Sequence, residues 1–296
     1  MSSTAGRPFP FRSVLAIFGP TASGKSAVAE AIAERIPAEL VSADSMQVYR
    51  GLPILTNQDA GARLVGIWPL DRQGTVGEYQ ALAHEAIDEI VAAGRTAVVV
   101  GGSGLWFQAA LTDVRLPPEA PEGARARWER LYDRRGAETA HRLLRARDPR
   151  AAARVHPNDR KRVVRALELW QAGGTLVPEH PRLWTAATRL PTLVVGLEVP
   201  PDVLAGRILA RAAAMFEQGV EEEVRAAGDV VPQVLGLEAV RTLPRAEAIV
   251  ELERATLRFA AYQRKWMRRI PGIVMIDADR PAGEVADAVL KMARAR

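Results

Sequence analysis

The chain has 296 residues and a mass of 32.2 kDa, and 48% of its residues are hydrophobic, which excludes an intrinsically disordered protein. One compact domain usually needs ~100–200 residues, so we expect one sizeable core with an inserted module. Cysteine is absent, which excludes disulfides, thiolate zinc sites and a cysteine nucleophile. The sequence has no apolar run of about 18 residues and no apolar signal-peptide stretch at its start. We therefore expect a cytoplasmic monomer without a membrane span.

The basic residues are unevenly distributed along the chain. Forty basic residues against 35 acidic ones give a net charge of +5. Residues 122–168 alone hold 14 basic and seven acidic residues, a net charge of +7, and the rest of the chain sums to −2. A basic block beside a near-neutral remainder predicts that a polyanionic partner docks on one module.

The first elements of the chain read as strand, turn, helix and strand. A short apolar run at residues 14–18 predicts a strand, and the helical pattern that follows the next turn ends at Pro37. A second strand-like run, at residues 39–42, is followed by Asp44. Residues 51–75 contain scattered Gly, Pro and Asn and predict a loop.

The next helix and strand have clear boundaries. Residues 78–93 have helical spacing, and Gly94 provides a C-terminal stop. Residues 96–100 form an uninterrupted β-branched run, which is typical of a buried parallel strand. That strand ends in a Gly-Gly-Ser-Gly turn at residues 101–104.

The middle of the chain changes character. Residues 115–188 are rich in arginine, helical in pattern and without a strand signal. Strand-like runs return at residues 192–197 and 273–276, and two long helical patterns lie between them, at residues 201–219 and 246–269. Strands that alternate with helices predict a parallel sheet.

We therefore predict an α/β fold, with a parallel sheet core and an inserted all-helical domain. The core would comprise residues 12–114 and 189–296, and the insertion residues 115–188 would bind the polyanion. This arrangement also accounts for a length beyond one domain.

The turn after the first strand fits the pattern G-x-x-x-x-G-K-[ST] and lies between a strand and a helix, as the mechanism of that motif requires. Its backbone N–H groups can face one anion, and the helix N-terminus adds positive charge. Lys25 supplies a mobile charge, and the Ser26 hydroxyl can hold Mg²⁺. The predicted phosphate-binding residues, called the P-loop below, are Gly19, Pro20, Thr21, Ala22, Ser23, Gly24, Lys25 and Ser26. The predicted α/β sheet core is therefore P-loop NTPase-like.

Two further side chains follow strands at the same predicted edge of the sheet. Asp44 comes after the second strand, where open α/β sheets bind ligands, and its carboxylate could deprotonate or orient an acceptor. The alternative is that Asp44 and Ser45 cap a helix. Ser103 follows the third strand and could add a hydroxyl to the same site, or it could belong to a plain glycine-rich turn.

These residues suit two reactions. One is phosphoryl transfer by a small-molecule or nucleoside kinase, and the other is departure of a diphosphate from an organic electrophile. Both reactions need a phosphate cradle and charge neutralisation, so the residues alone leave both open. A non-catalytic RNA-binding protein with a relic P-loop is a third hypothesis, and the joint presence of Lys25, Ser26 and Asp44 argues against it.

Several segments resemble the tRNA dimethylallyltransferases, also called tRNA isopentenyltransferases. The Asp-Ser-x-Gln turn, the His-Pro-Asn-Asp-x-x-Arg stretch and the Gln-x-x-Trp stretch are the most specific of them. The similar segments occur in family order over most of residues 14–279. They are GPTASGKS (19–26), SADSMQVYRGL (42–52), GGSGLWFQAAL (101–111), DPRAAARVHPNDRKRVVRALE (148–168), RILARAAAMFEQGVEEEV (207–224) and RFAAYQRKWMRR (258–269).

The resemblance implies transfer of a dimethylallyl group from dimethylallyl diphosphate to N6 of adenosine 37 in the tRNA anticodon loop. The P-loop would then bind the donor's diphosphate, with Lys25 and Mg²⁺ stabilising the leaving group. Asp44 would accept a hydrogen bond or proton from the adenine amine. Ser45, Met46, Gln47 and Ser103 would contact the tRNA.

The resemblance also implies an arginine contact to the diphosphate and arginine contacts to the tRNA. Arg207 and Arg211 lie four residues apart on one predicted helix face, and we favour Arg211 as the catalytic contact. The target base must leave its stack, at a cost that phosphate contacts from the basic insertion would offset. The expected contacts are Arg125 and the stretch Lys161, Arg162, Val163, Val164 and Arg165, and no protein partner is implied.

The chain departs from the family pattern at three places. Residues 66–71 read GIWPLD where family members typically carry His-His-Leu, and residues 55–58 read LTNQ where they carry Gly-Thr-Ala/Asn-Lys-Pro. A Gly-Tyr-x-Glu stretch is replaced by GLEA at residues 236–239, which removes an aromatic ring. His156, Asn158 and Asp159 predict a turn and helix cap. All the phosphate and acceptor residues are present, so we expect an active enzyme.

Overall fold

The computed structural model describes residues 14–59, 61–114, 120–177 and 187–295. The chain divides into two compact units: residues Met1–Asp113 with Trp184–Arg296, and residues Val114–Leu183. No helix in these described ranges is both long and apolar enough to cross a membrane.

The first unit is built on a five-stranded sheet in which every strand pair is parallel. The strands are β1 (Val14–Phe18), β2 (Ala38–Ser42), β3 (Thr96–Gly101), β4 (Thr192–Glu198) and β5 (Val274–Asp277). Their order across the sheet is β2-β3-β1-β4-β5. Strand β1 is therefore central, and the turn that follows it lies at the middle of the carboxyl edge, where such sheets bind ligands.

Nine helices of the first unit are described. They are α1 (Lys25–Ala33), α2 (Pro53–Thr56), α3 (Val76–Ala92), α4 (Gly104–Leu111), α9 (Pro201–Glu217), α10 (Val220–Ala226), α11 (Leu237–Thr242), α12 (Arg245–Met267) and α13 (Ala282–Arg294). The second unit contains α5 (Ala124–Arg135), α6 (Ala137–Arg147), α7 (Pro149–Ala152) and α8 (Arg160–Gln171).

Two apolar layers sandwich the sheet because alternate strand residues point to opposite faces. On one face Leu15 and Ile17 pack with α1, α9 and α13. On the other face Phe18 packs with α3 and α4, and its ring meets that of Phe107 edge to face. The predicted fold class is confirmed, because a parallel sheet covered on both faces is what the alternating strands and helices indicated.

Helix α3 begins and ends at residues whose side chains explain its bounds. Thr75 and Glu78 form a reciprocal capping box at its N-terminus. At its C-terminus Gly94 has a φ of 75°, and the amides of Gly94 and Arg95 donate to the carbonyls of Val91 and Ile90. That pairing is a Schellman motif, which requires a left-handed residue.

The segment predicted as a loop at residues 51–75 is more ordered than expected. It contains α2. It also pairs with the segment that precedes it, through β-bridges between Val41 and Arg63 and between Tyr49 and Trp68. Trp68 is buried against Tyr49 and Trp106. A Cβ on Gly74 would lie 2.0 Å from the Trp68 ring, so the tryptophan fits only because residue 74 has no side chain. The divergent GIWPLD sequence therefore forms a defined aromatic cluster.

The second unit has its own small core. Trp128, Leu144 and Leu167 are buried together from α5, α6 and α8. Tyr132 donates its hydroxyl to the carbonyl of Pro157, and the buried His141 ring contacts the carbonyls of Ala152 and Val155. The side chains within this unit that carry charge lie mainly on its surface.

Candidate active site

The turn between β1 and α1 has the shape that a phosphate loop requires. Gly24 adopts a left-handed conformation with a φ of 86°, which glycine reaches without steric strain. A Cβ on Gly19 would lie 2.4 Å from the Ser23 hydroxyl oxygen, so a side chain there would displace that hydroxyl. Thr21, Gly24, Lys25 and Ser26 face a cavity, and Gly19, Pro20, Ala22 and Ser23 form the rest of the turn.

Side chains from two distant helices hold this turn. The Thr21 amide donates to Gln263 Oε1 of α12 at 2.7 Å, and Arg211 of α9 donates to the Thr21 hydroxyl at 2.9 Å. Gln263 is almost fully buried, and a Cβ on Gly102 would lie 2.3 Å from its amide nitrogen. The long helices α9 and α12 therefore position the loop.

The ammonium of Lys25 loses its proton more easily than that of an exposed lysine. Desolvation by burial lowers its pKa to about 8, with Asp44 acting to raise the pKa and Arg211 to lower it. Its ammonium lies 3.4 Å from the carbonyl oxygen of Pro20. Burial likewise lowers the pKa of Arg211, against the effect of Asp44. Two cations with one carboxylate beside them form a site that gains from binding an anion.

Asp44 lies just beyond β2 and lines the same cavity. Its Oδ1 accepts a hydrogen bond from the Met46 amide at 2.9 Å. This bond closes a short turn, and no helix begins at Asp44 or Ser45, so the alternative that these residues cap a helix is wrong. The carboxylate is held by its own backbone and faces the cavity, as a proton acceptor requires.

Ser103 lies next to Ser45. Its hydroxyl oxygen is 3.2 Å from the Ser45 amide nitrogen and 3.1 Å from the Ser45 hydroxyl oxygen. Although Ser103 precedes α4, its side chain does not cap that helix. Neither serine is among the residues that line the cavity.

Gln47 lines the same cavity as Asp44. Its Oε1 accepts from the Ser42 hydroxyl at 2.8 Å, and its amide nitrogen donates to the carbonyls of Asn57 and Thr56 at 2.5 and 3.5 Å. The Gln47 side chain is thereby fixed between β2 and the end of α2.

The cavity has a volume of about 270 Å³. Its polar part combines the P-loop with Asp44, Arg211 and Gln263. Its apolar part is lined by Met46, Leu55, Ile208, Ala212, Met215, Leu235, Leu252 and Phe259.

Helix α12 runs the length of this cavity. Four of its residues line the cavity at helical spacing, namely Leu252, Thr256, Phe259 and Gln263. Gln263 contacts the P-loop. Leu252 lies about 16 Å from Gln263 along the helix axis, at a rise of about 1.5 Å per residue. The cavity therefore joins a phosphate end to an apolar end.

The structure separates the two arginines that the sequence offered for the diphosphate. Arg211 lines the cavity, whereas Arg207 pairs with Asp279 at 2.9 Å and does not line it. In this structure Arg207 therefore lies outside the cavity, one helical turn from Arg211 and beside Asp279, which follows β5. Arg211 remains in the candidate site.

The basic stretch of the second unit has an exposed and a buried side. Lys161 and Arg162 are exposed, and Arg165 pairs with Glu168 at 3.1 Å. Val163 and Val164 are buried in the helical core, so the expectation that these two side chains contact RNA is wrong. Arg125 is exposed and pairs with Glu129 at 3.3 Å.

The turn before α8 has the predicted structure. Asp159 is the N-cap of α8 and accepts from the Arg162 amide at 3.1 Å. His156 Nδ1 accepts from the Asn158 amide at 3.2 Å. The structural interpretation of this stretch, as turn and cap, is confirmed.

Some cavity residues had no assigned role in the sequence. Gln263 belongs to the Gln-x-x-Trp stretch, which marked it as unusual but did not connect it to the P-loop. Leu55, Met215 and Leu252 have no such mark, because apolar positions carry no signal that separates a cavity wall from a packed core.

Comparison with known proteins agrees with this geometry. The family model described as IPP transferase matches residues 47–270, and a second, described as Isopentenyl transferase, matches residues 12–67. A protein named tRNA dimethylallyltransferase from Acidothermus cellulolyticus is 38% identical over 96% of this chain and 92% of its own length.

Solved structures give the same result for the fold. The tRNA isopentenylpyrophosphate transferase of Bacillus halodurans is 29% identical, with a TM-score of 0.66 over 96% of this chain and 98% of that one. A eukaryotic dimethylallyltransferase acting on tRNA is similar in fold, with a TM-score of 0.73 and 23% identity over 93% of this chain and 77% of that one. The sheet order, the P-loop and these matches together establish that the chain belongs to the IPP transferase family.

Proposed function

We propose that this enzyme transfers a dimethylallyl group from dimethylallyl diphosphate to N6 of adenosine 37 in the anticodon loop of tRNA, releasing diphosphate. The observation that carries the proposal is the single cavity with two kinds of wall. Its P-loop end, with Lys25 and Arg211, suits a diphosphate. Its apolar end suits a hydrocarbon, and Asp44 lines the same cavity.

In the proposed reaction the adenine N6 attacks C1 of the dimethylallyl group. The N6–C1 bond forms as the C1–O bond to diphosphate breaks, and the electron pair of that bond leaves with the diphosphate. Asp44 takes the proton that N6 loses, because its carboxylate is held at the cavity wall by the Met46 amide. Lys25 and Arg211 stabilise the charge that develops on the leaving group.

The residues at the P-loop fit a magnesium ion. Mg²⁺ prefers hard oxygen ligands and commonly binds through one side chain together with phosphate oxygens. The Ser26 hydroxyl lines the cavity next to Lys25, so Ser26 and the donor's diphosphate would hold the ion. Bound Mg²⁺ would neutralise part of the diphosphate charge.

The helical unit is proposed to dock the anticodon stem-loop. Lys161 and Arg162 present exposed cations on α8. Contacts from such residues to RNA phosphates are independent of sequence and release counterions. They would offset the cost of withdrawing the target base from its stack.

The reaction is tested with purified protein, Mg²⁺, labelled dimethylallyl diphosphate and unmodified tRNA with A36-A37. We expect label in the tRNA and release of diphosphate. No transfer under any condition would reject the proposal, and phosphoryl transfer from ATP would instead support a kinase. Membership of the IPP transferase family does not favour the kinase alternative.

The two arginines of α9 provide a matched pair for testing the diphosphate site. Arg211→Ala is expected to lower kcat/KM for the donor by about 100-fold, because removing one donor to a developing anion typically costs 10²–10³. Arg207→Ala removes the same charge from the same helix outside the cavity and is expected to change it by less than about threefold. Steady-state kinetics with saturating tRNA measure both, and equal losses would contradict the assignment.

The exposed cations of α8 are expected to control tRNA affinity through charge. Lys161→Ala with Arg162→Ala should weaken tRNA binding and reduce the slope of log K against log[salt] by about 1 to 2, since each phosphate contact contributes about 0.7–0.9. Filter binding of tRNA at salt concentrations from about 50 to 300 mM, where phosphate contacts change the affinity steeply, measures the slope. An unchanged slope would place the docking surface elsewhere.

A further inference from the structure

Helix α2 begins without a capping residue of its own. Its N-cap is Leu52, whose side chain has no oxygen, and its first helical residue is Pro53, which has no amide hydrogen. The next two amides, of Ile54 and Leu55, have no partner within the helix. They donate instead to the two carboxylate oxygens of Glu223, at 2.7 and 2.8 Å.

Glu223 comes from a different helix, α10, and is distant in sequence from α2. Its side chain is partly buried. Burial raises the pKa of its carboxyl, and the two amide hydrogen bonds act against that rise. Two helix N–H groups compensate the Glu223 carboxylate for its loss of contact with water. An anion is favourable at this position because the N-terminus of a helix carries partial positive charge.

The other end of α2 leads directly into the cavity. Leu55, Thr56 and Asn57 line it. The carbonyls of Thr56 and Asn57 accept hydrogen bonds from Gln47, which lines the cavity as Asp44 does. The path from Glu223 to the cavity therefore runs through one helical turn and one side-chain amide.

We propose that Glu223 is a positioning residue for the transfer reaction. By holding the N-terminus of α2, it fixes the cavity wall formed by Leu55, Thr56 and Asn57, and with it the orientation of Gln47. Glu223 touches neither substrate. This inference rests on the proposed function, because it assigns Glu223 a part in placing the groups that bind the reactants.

The test compares Glu223→Ala with Glu222→Ala. Glu222 is the adjacent residue on α10; it is exposed and lies 3.9 Å from Arg225. We expect Glu223→Ala to lower kcat/KM for tRNA about tenfold and Glu222→Ala to leave it within twofold. Glu223→Gln keeps the shape of the side chain and one acceptor oxygen, so we expect an intermediate loss from it. If Glu223→Ala does not fold, Glu223→Gln takes its place in every comparison.

A double-mutant cycle with Gln47→Ala distinguishes positioning from a general loss of stability. If Glu223 acts through Gln47, Glu223→Ala costs less than about threefold in the Gln47→Ala background, because coupled residues are not additive. The same tenfold loss in both backgrounds would overturn the proposal, and so would wild-type kinetics in Glu223→Ala.

Hydrogen exchange gives a readout that does not depend on catalysis. Amides of residues 54–58 should exchange faster in Glu223→Ala than in Glu222→Ala, with the sheet amides unchanged, because opening is local. Unchanged exchange at residues 54–58 would overturn the positioning role even if the wild-type enzyme transferred no prenyl group. A wild type without transfer would reject only the proposed function.

Discussion

Asp44→Asn is expected to reduce the rate of dimethylallyl transfer by about 10²–10⁴, the range that general base catalysis contributes. The asparagine retains a side-chain oxygen that can accept from the Met46 amide, so the turn after β2 is preserved. What is lost is the ability to take a proton from the adenine amine. Asp44→Ala also loses the turn contact and is expected to abolish transfer.

Binding and chemistry must be measured separately for these variants. Single-turnover transfer reports the chemical step, and filter binding reports the affinity for tRNA. We expect the tRNA affinity of both variants to stay within about tenfold of wild type, or about 1.4 kcal/mol. Asp59→Asn is the comparison, because Asp59 also lines the cavity and its Oδ1 accepts a local amide. It should slow transfer by less than tenfold, and normal turnover by Asp44→Asn would refute the general-base role.

The strands and the P-loop could be predicted because their signals are local. Each of the five strand-like runs appears as a strand within two residues of its predicted bounds. Buried parallel strands are continuous apolar runs, and the phosphate turn is specified by glycines within eight residues of one another. Glycine is favoured at position 19 because a side chain there would meet the hydroxyl of Ser23, four residues later. Information of this kind lies within one stretch of sequence.

The walls of the cavity could not be predicted, because they depend on contacts between residues that are far apart in sequence. Gln263 holds Thr21, and Glu223 holds Ile54 and Leu55. No periodicity or spacing connects α12 with the P-loop or α10 with α2. Likewise the sequence predicts a loop where α2 forms, since a single turn with an external cap has neither the length nor the capping residue of an ordinary helix.

Two features of helix geometry, side-chain direction and position along the helix axis, separate the predicted site from the observed one. Val163 and Val164 lie in a basic stretch, but on the α8 surface that faces the core. Arg207 and Arg211 lie on one helix, yet only Arg211 reaches Thr21. A motif identifies a segment, whereas which of its residues reach a ligand depends on the packing of that segment.

Lys25→Met is expected to lower kcat/KM for the donor by about 10²–10³, because it removes the cation next to the leaving diphosphate. The charge of Lys25 also predicts a pH dependence. Its pKa in the free protein is lowered to about 8 by burial, so the lysine is charged below that pH and loses its proton as the pH rises through it. Affinity for the diphosphate should therefore fall above about pH 8, and donor binding there should be accompanied by proton uptake.

Lys25→Arg separates charge from geometry in this prediction. A guanidinium stays protonated throughout the accessible range, so the decline in donor affinity above pH 8 should disappear even if the affinity at pH 7 is lower. Calorimetric titration of dimethylallyl diphosphate in two buffers of different ionisation enthalpy measures the proton uptake. The KM for the donor from pH 6.5 to 9.5, a window about the Lys25 pKa, measures the affinity. A decline in Lys25→Arg identical to that of wild type would assign the titration to another group. A decline confined to the wild type would identify Lys25 as the cation that the donor's diphosphate stabilises.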